Sequence, residues 1–319
     1  MKFSVLFISI FACLLSGCGG ETHTWNARSG NTEKQVQPAP TPDAELAKSF
    51  EQIAADSKGK VGVYAVEIET GRSAELNAAE QFAMQSVVKL PISMAITQMV
   101  ADGKLRLDDK IAFGKDELVP GRMHSPIRDS NPNGGEMPLQ EMIKAAVSVS
   151  DGTAADVLQR VAGGADGVQR YIDSQGVKDM KVRYTHKEFA DTWERQYDNW
   201  STPRAAVELL RALWSQKEKA PAGSEQKELL LLTFMYETPT GPNRLKGMLP
   251  PGTPVAHKTG SGQTRDGVVS ATNDVGIITL PNGNHIAIAV FVRDSSADEK
   301  TREAVIARTA KAVWDRWAS

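Results

Sequence analysis

The sequence predicts an α/β protein of two lobes, in which both ends of the chain form one antiparallel sheet and an all-α lobe is inserted between them. Strand-like patterns occur early, at residues 61–68, and late, at residues 267–280 and 285–292. Between about residues 86 and 214 the apolar residues instead recur at helical spacing. We therefore expect a sheet flanked by helices, with a ligand-binding cleft between the two lobes.

The first predicted elements are a helix and a strand hairpin. Asp43 is a typical N-cap residue, and Leu46 and Phe50 follow on one face of the predicted helix. Residues 61–68 alternate as a strand, and Gly71 supplies the turn that leads into its partner.

The middle and the end of the chain complete this plan. Long apolar-periodic stretches predict helices at residues 90–100, 139–149 and 205–214. Pro281-Asn-Gly283 joins the two late strands as a hairpin, and residues 298–317 have an amphipathic pattern that predicts a closing helix. We assign residues 43–82 and 220–319 to the α/β lobe and residues 83–219 to the helical lobe.

Composition excludes some classes of function. The chain has 319 residues, 41% of them hydrophobic, so it can bury a large core. Its formal net charge is -2, without a long block of one sign, which argues against a nucleic-acid partner because phosphate binding needs a basic surface. We expect a monomer that acts on a small molecule and needs neither a cofactor nor a metal.

The N-terminal segment predicts export. Lys2 precedes an apolar run at residues 3–15 that is too short to span a bilayer and is typical of a signal peptide. The run ends in Leu15-Ser-Gly-Cys18, which resembles the bacterial lipoprotein processing site and implies lipidation of Cys18; the alternative is an ordinary signal peptide. Residues 19–42 are polar and predict a flexible tether. We expect a membrane-anchored lipoprotein in the periplasm or at the cell surface.

A serine and a lysine three residues apart are the first sign of chemistry. Ser86 and Lys89 share one face of a helix, where the amine can take the serine proton. The same spacing occurs at residues 57–60 and 224–227, but the polar surroundings there predict solvated surface. Ser86 instead stands at the start of an apolar helix, so we expect it to be the nucleophile.

Two further motifs follow in order. Ser150-Asp-Gly comes after an apolar helix, and Lys258-Thr-Gly precedes the C-terminal strands. Alone, Ser150 is readily explained as a helix cap and Lys258 as part of a strand. Together with Ser86-Val-Val-Lys89 they give the order of motifs found in class A β-lactamases and penicillin-binding proteins.

The sequence resembles class A serine β-lactamases from about Asp43 to Trp317. This resemblance implies a two-lobed fold of the serine β-lactamase and penicillin-binding protein type, with the active site in the cleft. Two more segments are Tyr197-Asp-Asn-Trp200 and Thr272-Asn-Asp274. They resemble a subgroup of the family that has a longer stretch between the first two motifs. The segments that carry the main resemblance are Phe82 to Leu90, His124 to Ile127, Arg244 to Pro250 and His257 to Gly260.

The resemblance also implies roles for the motif residues. Ser86 is the expected nucleophile, Lys89 its activating partner and Ser150 the group that passes a proton to the leaving nitrogen. The backbone N–H groups of Ser86 and Ser261 are expected to form the oxyanion hole.

The same resemblance assigns substrate binding to residues that follow the nucleophile in the chain. Lys258 is expected to hold the substrate carboxylate, with hydroxyl groups from Thr259 and Ser261. Arg265 is a further candidate for binding that carboxylate, although a surface arginine is an equally good interpretation. His124 occupies the position of an aromatic residue that gates the cleft.

Two departures from the family pattern affect function. Gly152 stands where the family has an asparagine that bonds the substrate side chain, which leaves substrate preference open. The family hydrolyses its acyl-enzyme with a loop glutamate, whereas the corresponding interval after Ser150 leads to His186, and Glu188 follows two residues later. Either His186 replaces the base or a local gap brings Glu188 into its place.

The predicted activity is opening of the ring of penicillin- and cephalosporin-type β-lactams through an acyl-enzyme on Ser86. A penicillin-binding protein or DD-peptidase with slow deacylation is the first alternative, supported by the altered base loop. A cell-wall binding module that kept the fold without turnover is the second. A Ser-His-Asp hydrolase is disfavoured because no Gly-x-Ser-x-Gly motif occurs, and a metalloenzyme because the five histidines are scattered.

Overall fold

The computed structural model describes residues 42–190, 192–219 and 226–318. The predicted signal peptide with Cys18, and all of the predicted tether except Pro42, lie outside these residues. Among the helices of the described ranges, none is both long and apolar enough to cross a membrane.

Helices and strands follow one another along the chain with these bounds. The helices are α1 (Ala44–Ala54), α2 (Lys89–Ala101), α3 (Pro126–Ser130), α4 (Leu139–Val147), α5 (Gly152–Val161), α6 (Gly164–Ser174), α7 (His186–Phe189), α8 (Pro203–Lys219), α9 (Gln226–Tyr236) and α10 (Glu299–Trp317). The strands are β1 (Lys60–Glu67), β2 (Ser73–Leu76), β3 (Phe82–Ala83), β4 (Lys110–Gly114), β5 (Gly134–Pro138), β6 (Met180–Lys181), β7 (Trp200–Ser201), β8 (Val255–Ser261), β9 (Thr264–Arg265), β10 (Val268–Thr279) and β11 (His285–Ser295).

The main sheet joins both ends of the folded region. Its strand order is β2-β1-β11-β10-β8, with β9 paired to β10, and every pairing is antiparallel. The predicted hairpins are present, and their turns contain Gly71 and Gly283 at φ values of 75° and 88°, a conformation that glycine adopts without strain. The predicted fold class is confirmed by this sheet and by the helices that flank it.

Helices α1 and α10 cover one face of the sheet. Asp43 caps α1 by accepting hydrogen bonds from the backbone N–H groups of Glu45 and Leu46, as its sequence position predicts. Apolar side chains of both helices, among them Phe50 and Trp317, form one buried cluster with the inward-facing residues of the strands. This layer fixes the sheet on the side away from the cleft.

Helix α2 is the centre of the inserted lobe. Helices α4, α5, α6 and α9 surround it, so apolar residues are buried on nearly all of its faces rather than on a single stripe. Besides helices this lobe carries the antiparallel pair β4 and β5. The N-terminus of α2 points toward the sheet and brings the residues before it to the strand β8.

Some details differ from the sequence-based predictions. Helix α9, in the segment that we assigned to the α/β lobe, packs on α2 and α4 as well as on β8. Helix α8, which we assigned to the helical lobe, packs on the main sheet against β1, β10 and β11, because its apolar face from Ala205 to Trp214 is buried there. Ser57, which we expected on the surface, is fully buried, and its hydroxyl donates to the carbonyl of Gly59 at 3.1 Å.

Candidate active site

A cleft of about 470 Å³ lies where α2, α5 and α7 meet the strand β8. Lys258 is buried behind the wall of the cleft, and its Nζ atom donates to the hydroxyl of Ser150, which lines the cleft. Neither Glu188 nor Arg265 lines it. The predicted site residues that line it are Ser86, Lys89, His124, Ser150, Gly152, His186, Thr259 and Ser261.

The nucleophile position is held by a tight turn. Ser86 lies in a 3-10 turn, Gln85–Val88, that precedes α2, rather than in the α-helix itself as the spacing predicted. Gln85 has a φ of 51°, an uncommon left-handed conformation for a residue other than glycine. The surroundings hold this backbone in place, since the side-chain amide of Asn273 donates to the carbonyls of Ala83, at 2.8 Å, and Met84, at 3.2 Å.

Four side chains form a continuous hydrogen-bonded chain. The Nζ atom of Lys89 lies 2.7 Å from the Oγ atom of Ser86 and 3.5 Å from that of Ser150. The Nζ atom of Lys258 lies 3.0 Å from the Oγ atom of Ser150 on its other side. Residues from three separate motifs are therefore joined into one path for protons.

Asp151 sets the position of Ser150, and sequence reasoning missed this role. Its buried carboxylate accepts hydrogen bonds from the N–H of Ala154, the hydroxyl of Ser125 and the N–H of Ile127, at 2.8–2.9 Å. It thereby caps α5 and ties it to the segment next to His124. Its place at an N-cap was the available signal.

Burial alters the charge state of both lysines. Burial lowers the pKa of Lys89 to about 8, although the negative charges of Asp156 and Asp151 oppose the effect. Burial, together with the neighbouring charge of Lys89, lowers the pKa of Lys258 well below its usual value. A lysine with a pKa near 8 exchanges a proton readily near neutral pH, which suits a base for the Ser86 hydroxyl.

His186 is buried on the cleft wall as the first residue of α7. Its Nδ1 atom lies 3.0 Å from Oδ1 of Asp156, while its Nε2 atom is buried and has no hydrogen-bond partner within the described part of the chain. Burial, and next the charge of Lys89, lower the pKa of His186 to about 4. The imidazole is therefore neutral at pH 7.

Glu188 faces away from this cleft. It is exposed and closes a capping box with Thr185, whose N–H and hydroxyl donate to its carboxylate at 2.8 and 2.9 Å. The carbonyl of Ala190, two residues after Glu188 in the chain, accepts a hydrogen bond from the guanidinium of Arg122. His186, and not Glu188, thus lines the same cleft as Ser86.

A second arginine takes the place expected for Arg265. Arg265 lies on β9, is exposed and pairs with the exposed carboxylate of Glu194 at 3.5 Å. Arg244 instead lines the cleft, and its guanidinium donates to the hydroxyl of Ser261 at 2.8 Å. A buried pair with Glu303, at 3.1 Å, orients it. Arg244 belonged to a matching segment, but nothing in its local sequence marked it as a site residue.

Hydroxyl groups and the rim complete the site. The Oγ1 atom of Thr259 lies 2.8 Å from that of Thr240, a cleft residue that sequence reasoning missed. His124 is exposed at the rim, with Nε2 3.1 Å from the carbonyl of Val149. The N–H of Gly152 donates to the carbonyl of His124 at 2.9 Å, so a side chain at Gly152 would press on this rim.

A serine activated by a buried lysine, in a cleft between a helical lobe and an antiparallel sheet, defines a serine enzyme of the acyl-transfer class. The model described as the Beta-lactamase enzyme family matches residues 45–317. The chain belongs to this family.

Individual relatives agree with this assignment. Beta-lactamase VEB-1 of Pseudomonas aeruginosa is 34% identical over 270 residues, which cover 85% of this chain and 89% of that protein. A beta-lactamase from Chitinophaga pinensis is 42% identical, with a TM-score of 0.81, covering 85% of this chain and 99% of that one. A class A beta-lactamase from Bacteroides cellulosilyticus is 33% identical, with a TM-score of 0.79, covering 88% and 99%.

Proposed function

We propose that this protein hydrolyses β-lactams of the penicillin and cephalosporin type through an acyl-enzyme on Ser86. The observation that carries the proposal is the hydrogen-bonded chain from Ser86 through Lys89 and Ser150 to Lys258. The names of the relatives, all of them beta-lactamases, support the same substrate class.

Acylation follows from this chain of groups. Lys89 in its neutral form accepts the proton of Ser86 as the Oγ atom attacks the carbonyl carbon of the ring. The ring C–N bond breaks, and the leaving nitrogen takes a proton through Ser150, which lies between the two lysines. Arg244 supplies positive charge for the substrate carboxylate on the cleft wall, with the hydroxyl group of Thr259 also in the cleft, while Lys258 acts from behind the wall through Ser150.

Deacylation falls to His186. Its neutral imidazole has Nε2 free to accept a proton from water as the water attacks the ester carbonyl on Ser86. A pKa of about 4 makes this imidazole about as basic as a glutamate carboxylate. It offers one lone pair to water where a carboxylate offers several, so we expect slower release than with a carboxylate base.

The histidine in place of a carboxylate base supports a second candidate function. If water attack is slow enough, the acyl-enzyme persists, and the protein acts as a penicillin-binding protein or DD-peptidase-like acyl-enzyme former. A cell-wall binding module without catalysis is less well supported, because the four groups of the proton path are all in place.

Intact-protein mass spectrometry after mixing with a penicillin tests these candidates. A transient adduct with steady product formation is expected for the hydrolase, and a lasting adduct for the second candidate. Ser86→Ala should abolish both adduct and turnover. Absence of any adduct with the parent protein would reject the acyl-enzyme altogether.

We also propose that the protein is exported and held to a membrane through a lipidated Cys18. The short apolar run and the cysteine that follows it support this. One acyl chain binds only marginally, but several hold a protein firmly. Cys18→Ser should therefore block processing or release the protein from the membrane fraction, and an unchanged distribution would contradict the anchor.

A further inference from the structure

Asp156 binds the start of α7 through two backbone N–H groups and also contacts the imidazole of His186. It lies buried on α5, 30 residues before His186 in the chain. Its Oδ1 atom accepts from the backbone N–H of His186 at 2.6 Å and lies 3.0 Å from the Nδ1 atom of the same residue. Its Oδ2 atom accepts from the N–H of Lys187 at 2.8 Å. One carboxylate thus meets three donors, one of them the imidazole.

We propose that Asp156 is a positioning residue that keeps the proton of the His186 imidazole on Nδ1 and so leaves Nε2 as the proton acceptor in deacylation. This inference rests on the proposed function.

The hydrogen-bond geometry supports this assignment. Because an ionised carboxylate can only accept, the Nδ1 atom beside it must carry the proton in the neutral imidazole. Nε2 then carries a lone pair, and it is a buried atom without a hydrogen-bond partner among the described residues, on a side chain that lines the cleft. A buried acceptor without a partner is costly, which a substrate-bound water would relieve.

An amide cannot replace this carboxylate. Asparagine offers one acceptor and one donor group, whereas both ends of the Asp156 side chain face N–H groups. If the amide oxygen faced His186, its NH₂ group would oppose the N–H of Lys187. If the amide turned round, its NH₂ group would donate to Nδ1 and move the proton to Nε2. In either case one donor is left unpaired, and in the second case the base is lost.

The charge of Asp156 acts on the reaction as well. When His186 takes a proton from water it becomes a cation, and the charges of Lys89 and Lys258 both disfavour that cation. Asp156 is the group that favours it. The same carboxylate also raises the pKa of Lys89 against the effect of burial. Its removal should therefore hinder the proton transfer at His186 while making Lys89 easier to deprotonate.

The test is a double-mutant comparison with two single-step rates. The rate of acylation by a chromogenic cephalosporin or a penicillin, and the rate at which each acyl-enzyme is hydrolysed, are measured by stopped flow and time-resolved mass spectrometry. The four proteins are the parent, Asp156→Asn, His186→Glu and the double variant. Thermal unfolding of each reports whether α7 remains folded.

In the parent background Asp156→Asn should slow deacylation by at least about 100-fold, as loss of the carboxylate that orients a catalytic histidine does in serine hydrolases. Acylation at pH 7 should stay equal or rise, with its pH dependence moved to lower pH. In the His186→Glu background the effect of Asp156→Asn on the deacylation rate should differ. There it removes a carboxylate that repels the new glutamate, so the deacylation rate should stay equal or rise.

Two outcomes would overturn the proposal. Equal slowing of deacylation in both backgrounds would make Asp156 a loop anchor and no more. Deacylation at the parental rate in Asp156→Asn would show that Asp156 does not position the His186 imidazole for this step. Both outcomes require that an adduct forms on Ser86, so they are distinct from failure of the proposed function, in which the parent protein forms none.

The tautomer itself can be observed in the parent protein. Long-range ¹H–¹⁵N spectra at pH 7, with His186 assigned by its loss in His186→Gln, should show a protonated Nδ1 and an unprotonated Nε2. The opposite tautomer would contradict the proposal without reference to any variant's stability.

Discussion

The Nζ atom of Lys89 lies 2.7 Å from the Oγ atom of Ser86, and the lysine is buried at the base of the cleft. Burial lowers its pKa to about 8. At pH 7 about a tenth of the protein therefore carries a neutral amine at this position, ready to accept the serine proton. In the proposed function, Lys89 is therefore the base next to the nucleophile Ser86.

We predict that acylation by a penicillin accelerates as pH rises from 6 and levels off above about 8, because only the neutral amine accepts the proton. Lys89→Arg should lower the acylation rate by at least about 100-fold, since a guanidinium stays charged. Stopped-flow acylation across this pH range is the measurement. Parental acylation in Lys89→Arg would assign the base to another group.

His186→Gln should trap the acyl-enzyme, lowering deacylation by about 10²- to 10⁴-fold while acylation changes little. Glu188→Gln is the matched control, because it makes the same kind of change on an exposed residue and glutamine still serves a capping box. It should deacylate within about twofold of the parent. Intact-mass time courses separate the two variants, and a trapped adduct in Glu188→Gln alone would make Glu188 the base.

The pH dependence of deacylation should differ from that of an ordinary histidine. An unperturbed imidazole loses its basic form below about pH 6.5. Burial and the charge of Lys89 lower the pKa of His186 to about 4, so its neutral form persists as pH falls to 5 and declines only near pH 4. Deacylation rates measured on preformed acyl-enzyme should therefore be flat from pH 8 to 5, and a midpoint near 6.5 would contradict the buried geometry.

Arg244 and Arg265 allow a matched test of carboxylate binding. Arg244→Lys should raise the KM for carboxylate-bearing β-lactams by about tenfold or more, because a forked guanidinium in the cleft is lost. Arg265→Lys should leave the KM unchanged, since that residue is exposed and pairs with Glu194. Lysine keeps a charge next to Glu303, whereas alanine would leave a buried carboxylate unpaired. Equal effects of the two variants would contradict the assignment of Arg244.

The elements of the fold were largely predictable because their signals are local. The cap at Asp43, the glycine turns at Gly71 and Gly283 and the period of the apolar residues depend on neighbours within a few positions. The three motifs were recognisable for the same reason, since each is a short run with its own spacing. The packing of α8 on the sheet was not predictable, because an apolar helix face does not say which layer it will cover.

By itself, the sequence determined the fold class, the order of the elements and the three motifs from which the proton path is formed. The tertiary structure alone decided which side chains meet: Asp156 with His186 across 30 residues, and Arg244 rather than Arg265 at the cleft. It also decided the protonation of the site, since the lowered pKa values of Lys89 and His186 come from burial. Burial and contact between distant residues arise only when the lobes pack together, and no local pattern of residues records them.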